Sequence, residues 1–267
     1  EPELRRFCPR QQFGNSRARV PQPITTWPPS LIVDVGAHDG SDALAYATGG
    51  MHSVISFEPA KEKAKQIRRL LARDKRGRQV TFYQAAVAAA AGNVTFFSTG
   101  GETDSLSRPN RDASEEIVQG VTLDDVVGPQ RSVAFLKVDA QGHDTDVLYG
   151  ASRLLSEKRI FIALFEVSPS LAPGGWRAYL QVVQWMQRLG YVCSDCFCPR
   201  TRSPLGRCPE RHLKSLSDPE FAAAHLRNLS EQRWGSRNSP WWSDFICTLP
   251  PSNVAERAER RPRVCAL

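Results

Sequence analysis

The chain has 267 residues, of which 41% are apolar and 24% charged, and its formal net charge is +7. This composition is typical of folded globular proteins, and the length allows one large α/β domain or two smaller ones. No run approaches the roughly 18 apolar residues of a membrane span, so we expect no membrane contact within this sequence. The first residue is Glu and not Met, so the sequence is compatible with a signal, anchor or transit segment upstream of it.

Strand and helix signals alternate along the chain after a proline-rich lead-in. Residues 1–30 contain six prolines and no apolar period, which indicates an N-terminal arm or linker. The apolar runs predict strands over 31–35, 54–58, 80–87, 94–97, 133–139, 160–167, 191–197 and 245–249. Helices are predicted from about Ser41, after the second strand, over 144–156 and over 176–189. The main domain is predicted over 31–250, with an irregular Cys- and Trp-rich insertion at 198–240 and a C-terminal tail at 251–267.

Near-continuous apolar strands that alternate with helices predict a doubly wound α/β fold, with a mostly parallel, Rossmann-like sheet covered on both faces. The run 94–97 is expected to add a hairpin strand. We expect the strands 31–35, 54–58, 80–87, 133–139 and 160–167, numbered one to five, to lie in the order 3-2-1-4-5. Ligands then bind beyond the carboxyl ends of strands one and four, where the strand order reverses. The polar segment 99–116 is expected to form a loop over that site.

The segment 61–78 holds much of the positive charge, with nine basic and two acidic side chains. Within it Ala64, Ile67 and Leu71 recur at helical spacing, which predicts an amphipathic helix with a solvated basic face. The alternative interpretation is a footprint for nucleic acid or an acidic glycan.

A glycine-containing turn follows the first strand. Residues 31–40 read LIVDVGAHDG, so an apolar strand carries Asp34 and breaks at Gly36 and Gly40. Glycine lets the backbone approach a ligand closely, and the helix that follows presents free N–H groups. Position 38 is His where G-x-G-x-x-G requires glycine, which favours the looser loop of S-adenosylmethionine sites over an NAD site. The residues expected to bind the cofactor here are Asp34, Gly36, His38 and Gly40.

Acidic residues are predicted at the carboxyl ends of four strands: Asp34, Glu58, Asp139 and Glu166. Glu58 follows Asp34 by roughly the spacing at which an acidic side chain accepts hydrogen bonds from a ribose diol. Helix capping explains one or two of the four. A cationic, hydroxyl-bearing ligand explains all of them, so we expect Glu58 and Asp139 to complete the cofactor site.

Five motifs lie between residues 34 and 151: DVGAHDG at 34–40, FEP at 57–59, TLDD at 122–125, LKVDAQGHD at 136–144 and DVLYGA at 146–151. Together they resemble the FkbM-type methyltransferases. The resemblance covers about 31–167 and implies the class I methyltransferase architecture, S-adenosylmethionine as the cofactor, and O-methylation of a sugar, glycan or small-metabolite hydroxyl. The sequence departs from the family at Ala140-Gln141, where an acidic residue often precedes the glycine, and 193–242 matches no family segment.

The predicted catalytic residues are His143, Asp139 and Glu166. Methyl transfer is an in-line displacement in which the cofactor carries the activated leaving group, so the protein chiefly positions the acceptor oxygen against the methyl carbon. A hydroxyl acceptor also benefits from a base. We expect His143 to be that base and Asp139 to be the second candidate. The alternative for His143 is a loop histidine that packs or caps.

The cysteines leave three alternatives open: a zinc site, disulfides of a secretory protein, or free buried thiols. Four of them are spaced C-x2-C-x-C-x9-C with His212 nearby: Cys193, Cys196, Cys198 and Cys208. We predict no metal, and a disulfide involving 193–208 if the protein is luminal. Glycosylation triplets at Asn93 and Asn228 also favour the secretory-pathway lumen, Golgi or ER, over the cytoplasm or an organelle stroma.

Two other function classes remain as alternatives. One is a nucleic-acid methyltransferase that uses the basic helix, and the other is a catalytically silent binding module of the same fold. The D/N-P-P-Y/F motif for base amines is absent, and the comparable strand end reads Glu166-Val167-Ser168-Pro169. We therefore expect a carbohydrate or small-molecule acceptor and not nucleic acid as the partner.

Overall fold

The computed structural model describes residues 30–48, 52–98, 105–107, 113–196, 214–231 and 243–250. Nearly all of the predicted arm, most of the predicted loop, the C-terminal tail and much of the predicted insertion lie outside these residues. So do Cys198, Cys208 and His212.

The described chain forms eleven strands and seven α-helices. The strands are β1 Leu31–Val35, β2 Ser53–Phe57, β3 Val80–Tyr83, β4 Ala86–Val87, β5 Gly92–Ser98, β6 Ser114–Val121, β7 Val133–Val138, β8 Ile160–Val167, β9 Val192–Asp195, β10 Lys214–Ser215 and β11 Ser243–Thr248. The helices are α1 Ser41–Tyr46, α2 Lys61–Arg73, α3 Leu123–Val127, α4 Asp144–Tyr149, α5 Ser152–Ser156, α6 Gly175–Arg188 and α7 Pro219–Glu231. None of the helices in these ranges is long and apolar enough to cross a bilayer.

Eight strands form the main sheet in the order β10-β9-β11-β8-β7-β1-β2-β3. The five strands from β8 to β3 are parallel, whereas β11 runs antiparallel to both β8 and β9. This arrangement confirms the predicted α/β class and the predicted 3-2-1-4-5 order. The strand order reverses between β1 and β7, so their carboxyl ends flank the expected crevice.

The predicted third strand, 80–87, is wrong in its second half. After Tyr83 the chain leaves the main sheet, and β4 pairs instead with β6 in a small three-stranded sheet ordered β4-β6-β5. The hairpin strand was expected, but its partner β6 begins inside the segment predicted as a loop. Its outward side chains are mostly polar and its Ile117 is 70% exposed, so the sequence shows little apolar alternation there.

Three helix predictions also need correction. The helix predicted over 144–156 divides into α4 and α5 around Gly150, where a Cβ would lie 2.2 Å from the carbonyl oxygen of Ala88. Helix α7 lies within the predicted irregular insertion, and Asp218 caps it by accepting from the N–H groups of Glu220 and Phe221. The basic helix α2 is amphipathic as predicted, with Ala64 and Ile67 buried, but it ends at Arg73 before a 3-10 turn.

Candidate active site

On one face of the main sheet, a row of buried apolar side chains is followed by charged side chains at the carboxyl edge. That row packs on the face covered by α1 and contains Ile32, Phe135, Leu164 and Ile246. Side chains alternate between the faces of a strand, so the next position on this face lies two residues closer to the edge. Those positions are Asp34 in β1, Lys137 in β7, Glu166 in β8 and Asp244 in β11. The sheet therefore places these four side chains on one face at its carboxyl edge, at and beside the point between β1 and β7 where the strand order reverses.

Lys137 is the cation that ties the two central loops together. Its Nζ donates to the carbonyl oxygen of Gly36 at 3.0 Å and lies 3.6 Å from Asp34 Oδ1. It also lies 3.6 Å from Asp139 Oδ2 and 3.8 Å from Asp42 Oδ2. Burial acts to lower the pKa of Lys137, but the three carboxylates outweigh it and hold that pKa well above its ordinary value. The lysine is therefore charged, and the sequence analysis did not single it out.

Asp34 is the most deeply buried of the three carboxylates around Lys137. Its side chain is fully buried, and Oδ2 accepts a hydrogen bond from Ser56 Oγ at 3.1 Å. Within the described residues Oδ1 has no hydrogen-bond partner and faces Lys137. Burial raises the pKa of Asp34 against the attraction of Lys137, and burial raises that of Asp42 to about 6. The expected contact between Asp34 and a cofactor stays a prediction.

Gly36 allows the loops after β1 and β7 to meet. Its φ of 79° is left-handed, and a Cβ at this position would lie 1.9 Å from the carbonyl oxygen of Asp139. The N–H of Gly36 donates to the carbonyl oxygen of Phe57, and that of Asp139 donates to the carbonyl oxygen of Val35. Gly40, also left-handed at φ 78°, ends the loop directly before α1. Both predicted glycines therefore lie in the loop where strand order reverses.

Glu58 joins the first loop to the end of β2. Its carboxylate accepts from the backbone N–H of His38 at 2.9 Å and from that of Ala60 at 3.0 Å. Glu58 is buried, whereas the side chain of His38 is exposed and its backbone φ is 51°. The structure thus brings together two of the residues predicted for cofactor binding, and their roles remain predictions.

The loop after β7 is folded around Asp144, which the sequence analysis passed over. This carboxylate is fully buried and accepts from the N–H groups of Ala140 at 2.9 Å and Gly142 at 3.1 Å, and from Tyr179 Oη at 3.3 Å. Burial, opposed by the backbone hydrogen bonds, raises the pKa of Asp144 to about 6. The loop is held so that Asp139 stays 37% exposed beside Lys137.

His143 lies between a carboxylate and a hydroxyl. Its Nδ1 is 2.8 Å from Asp146 Oδ2, and its Nε2 is 2.8 Å from Ser107 Oγ. Because a carboxylate can only accept, Nδ1 carries the hydrogen, and in the neutral ring Nε2 then accepts from the serine hydroxyl. The side chain of His143 is 11% exposed. The structure therefore gives the predicted base an orienting carboxylate and a bound hydroxyl, neither of which was predicted.

Glu166 and Asp244 face each other across β8 and β11, where they are directly paired in register. Ser168 Oγ donates to Glu166 Oε1. Burial, and after it the negative charge of Asp139, raises the pKa of Glu166 well above its usual range and that of Asp244 to about 8. Glu166 was a predicted site residue, whereas Asp244 lies one position before the strand predicted at 245–249.

The described cysteines are joined across neighbouring strands. Cys193 in β9 and Cys247 in β11 form a disulfide, and Cys196 is also disulfide-bonded. Cys193 and Cys196 are therefore not thiolates in this structure. The other residues of the zinc alternative, Cys198, Cys208 and His212, lie outside the described residues, so the absence of a metal stays a prediction. No group of His, Cys, Asp and Glu side chains suited to a metal occurs within the described ranges.

Comparison with known proteins gives a family match and several structural similarities. A family model described as methyltransferase FkbM domain matches residues 34–193, more than half of the chain. No curated protein matches the sequence. The chain is similar to the solved methyltransferase FkbM of Methylobacillus flagellatus KT, with 17% identity and a TM-score of 0.47, over 70% of this chain and 43% of that one. It therefore spans less than half of the length of that protein.

Two further solved structures are similar in fold. One is a SAM-dependent O-methyltransferase of Thermotoga maritima, with 11% identity and a TM-score of 0.42, over 85% of this chain and 62% of that one. The other is a methyltransferase of Streptococcus mutans in complex with SAH, with 10% identity and a TM-score of 0.43, over 83% and 89% of the two chains.

Proposed function

The chain belongs to the FkbM methyltransferase family, whose methyl donor is S-adenosylmethionine, and we propose that it methylates a hydroxyl of a sugar, glycan or small metabolite. The observation that carries the proposal is His143, held by Asp146 and hydrogen-bonded through Nε2 to a hydroxyl, beside the carboxyl-rich edge of the sheet. A base that already contacts a hydroxyl oxygen suits O-methylation.

The residues at this edge fit the charge of S-adenosylmethionine. The cofactor carries a sulfonium and an ammonium group, and the carboxylates of Asp34, Asp42 and Asp139 converge there around Lys137. We assign Glu58 to the ribose hydroxyls and the loop 34–40 to the methionine end. Asp34 is buried, so it acts through Lys137 and the backbone of the loop. When bound, the cofactor supplies a methyl carbon activated by the positively charged sulfur.

The chain's own residues then orient the acceptor and remove its proton. We place the acceptor hydroxyl at His143 Nε2, where it replaces Ser107 Oγ, which lies 2.8 Å from that nitrogen in this structure. Nε2 takes the proton, and the resulting imidazolium is stabilised by Asp146 at Nδ1. Asp139 and Glu166, at the ends of neighbouring strands, position the acceptor against the methyl carbon. Asp139→Asn is therefore expected to damage both cofactor affinity and turnover.

A nucleic-acid acceptor receives less support. Five of the six basic residues of α2 are exposed while Ala64 and Ile67 pack inward, as expected for a solvated helix face. Phosphates would also approach an edge rich in carboxylates, which repel them.

The function is tested by incubating the protein with S-adenosylmethionine and mixtures of glycans and small metabolites, and then searching by mass spectrometry for a gain of one methyl group. We expect a methylated hydroxyl compound with wild-type protein and none with His143→Ala at equal protein concentration. Methylation of RNA or DNA that weakens as salt rises would support the alternative class. Cofactor binding without turnover of any acceptor would support a silent binding module.

We further propose that the protein works in the lumen of the secretory pathway. The disulfide between Cys193 and Cys247 suits an oxidising compartment, and Asn93 and Asn228 are exposed in β5 and α7. Intact mass before and after reduction and glycosidase treatment of protein from its native source tests this. Free thiols and no glycan would place the protein in the cytosol or an organelle stroma.

A further inference from the structure

Asp244 is a buried carboxyl that the reaction described above leaves unused. It is 9% exposed, and it has no hydrogen-bond or ion-pair partner in the part of the chain that the structure describes. Its oxygens are not among the fully enclosed atoms that lack a partner, so a ligand can still reach them.

The neighbours of Asp244 show where this carboxyl points. It is directly opposite Glu166 in the register of β8 and β11, and side chains in that position share one face of the sheet. Both side chains lie one position beyond the apolar row on that face, toward the carboxyl edge of the sheet. Among the charged groups around them, Asp139 raises the pKa of each most strongly. The pair therefore borders the site beside Asp139, on the side away from β1 and β2, where Glu58 is assigned to the cofactor.

We propose that Glu166 and Asp244 form an acceptor subsite that binds two neighbouring hydroxyls of a neutral polyol, close to the hydroxyl that is methylated. This inference rests on the proposed function and narrows its acceptor. Two carboxyl groups facing each other across a strand pair offer acceptors, and donors when protonated, which match a vicinal diol. A ligand hydroxyl would also give Asp244 the partner it lacks.

The charges at the edge argue against an anionic or ammonium-bearing acceptor. A phosphate or carboxylate would meet the carboxylate of Asp139 beside this pair, with Lys137 already held by other groups. Burial raises the pKa of Glu166 above its usual range and that of Asp244 to about 8, so the Asp244 carboxyl favours its neutral form near neutral pH and does not attract an ammonium group. Neutral hydroxyls suit both groups.

The test measures binding by saturation-transfer NMR with SAH present to fill the cofactor site. The probes are neutral methyl glycosides with vicinal hydroxyls, the matching amino sugar and a sugar phosphate. The variants are Asp244→Leu, which removes the polar group, and Asp244→Asn, whose neutral amide keeps a donor and an acceptor. Glu220→Gln on the exposed first turn of α7 is the control.

We expect wild-type protein to bind a neutral glycoside, Asp244→Leu to bind it at least about tenfold more weakly, and Asp244→Asn to recover part of that loss. SAH affinity, measured by calorimetry, should be unchanged in all variants. Asp244→Leu should also resist urea at least as well as wild type, because burial raises the pKa of the Asp244 carboxyl to about 8 and this carboxyl therefore opposes folding at neutral pH. A marked loss of stability would count against the proposal.

Three results would overturn the subsite. They are equal glycoside affinity in wild type and Asp244→Leu, failure of every neutral glycoside to bind wild type, and tighter binding of the amino sugar or the sugar phosphate than of the neutral glycoside. Binding with the expected variant pattern but no methyl transfer would uphold the subsite and refute the proposed function. Methyl transfer at the wild-type KM in Asp244→Leu would uphold the proposed function and refute the subsite.

Discussion

Replacing Lys137 with methionine should destabilise the protein and should do so more strongly at alkaline than at acidic pH. The ammonium group faces Asp34, Asp42 and Asp139, and the side chain is 14% exposed. Removing one partner of a buried ion pair leaves an uncompensated charge and typically costs about 3–5 kcal/mol. With a urea dependence of about 2–3 kcal/mol/M, the unfolding midpoint should fall by roughly 1–2.5 M.

The pH dependence follows from the carboxyls. Burial raises the pKa of Asp34, and raises that of Asp42 to about 6, above the value of about 3.9 expected in the unfolded chain. The folded state therefore binds more protons in this range, and these groups oppose folding increasingly as pH rises through it. Lys137 stabilises the ionised forms of Asp34 and Asp42, so removing it raises both pKa values further. The contribution of the lysine to the free energy of unfolding is therefore lost mainly at higher pH, where these carboxyls are ionised.

The assay is urea unfolding of wild type and Lys137→Met at about pH 5 and about pH 8, with Lys65→Met as control. Lys65 forms an exposed ion pair with Glu62, and such pairs contribute little to stability. The difference in unfolding free energy between wild type and Lys137→Met should be larger at the higher pH. A difference that is the same at both pH values, or no larger than that of the control, would refute the electrostatic account of this lysine.

Three further predictions concern the cofactor, the base and the disulfide. Glu58→Ala should weaken S-adenosylmethionine binding at least tenfold in calorimetry, because it removes two charge-assisted hydrogen bonds of about 1.5–3 kcal/mol each, whereas the exposed Glu62→Ala should not; unchanged affinity in a folded Glu58→Ala protein excludes the ribose assignment. His143→Ala should lower turnover by about 10²–10⁴ with little change in cofactor affinity, and wild-type turnover in this variant would make the imidazole structural. Reducing the disulfide between Cys193 and Cys247 should lower the unfolding free energy by about 2–4 kcal/mol, and equal urea midpoints with and without reductant would contradict this.

The main sheet could be predicted because its strands are strongly apolar and end in recognisable polar residues. The runs that end near Asp34, Glu58 and Asp139 each became a strand of the predicted order. The small sheet was less predictable, since the exposed Ile117 in β6 breaks the alternation by which a half-buried strand is recognised.

The site was only partly predictable, because several of its contacts join residues far apart in sequence. Ser107 reaches His143 across 36 positions, and nothing local in the sequence marks that pairing. Asp244 was missed because the strand that carries it was predicted to begin one residue later. Lys137 was missed because a lysine within an apolar strand gives no periodic signal, although a charge in such a run is itself a reason to look for a buried partner.

Transfer of a ¹³C-labelled methyl group tests the central claim most directly. The purified protein is incubated with S-adenosylmethionine labelled in its methyl carbon and the neutral glycoside that binds best, and the product is examined by NMR. The account predicts formation of SAH together with a labelled methyl group bonded to oxygen, and loss of both in Asp139→Asn. A label on nitrogen, or no label on the glycoside at saturating cofactor, would contradict it.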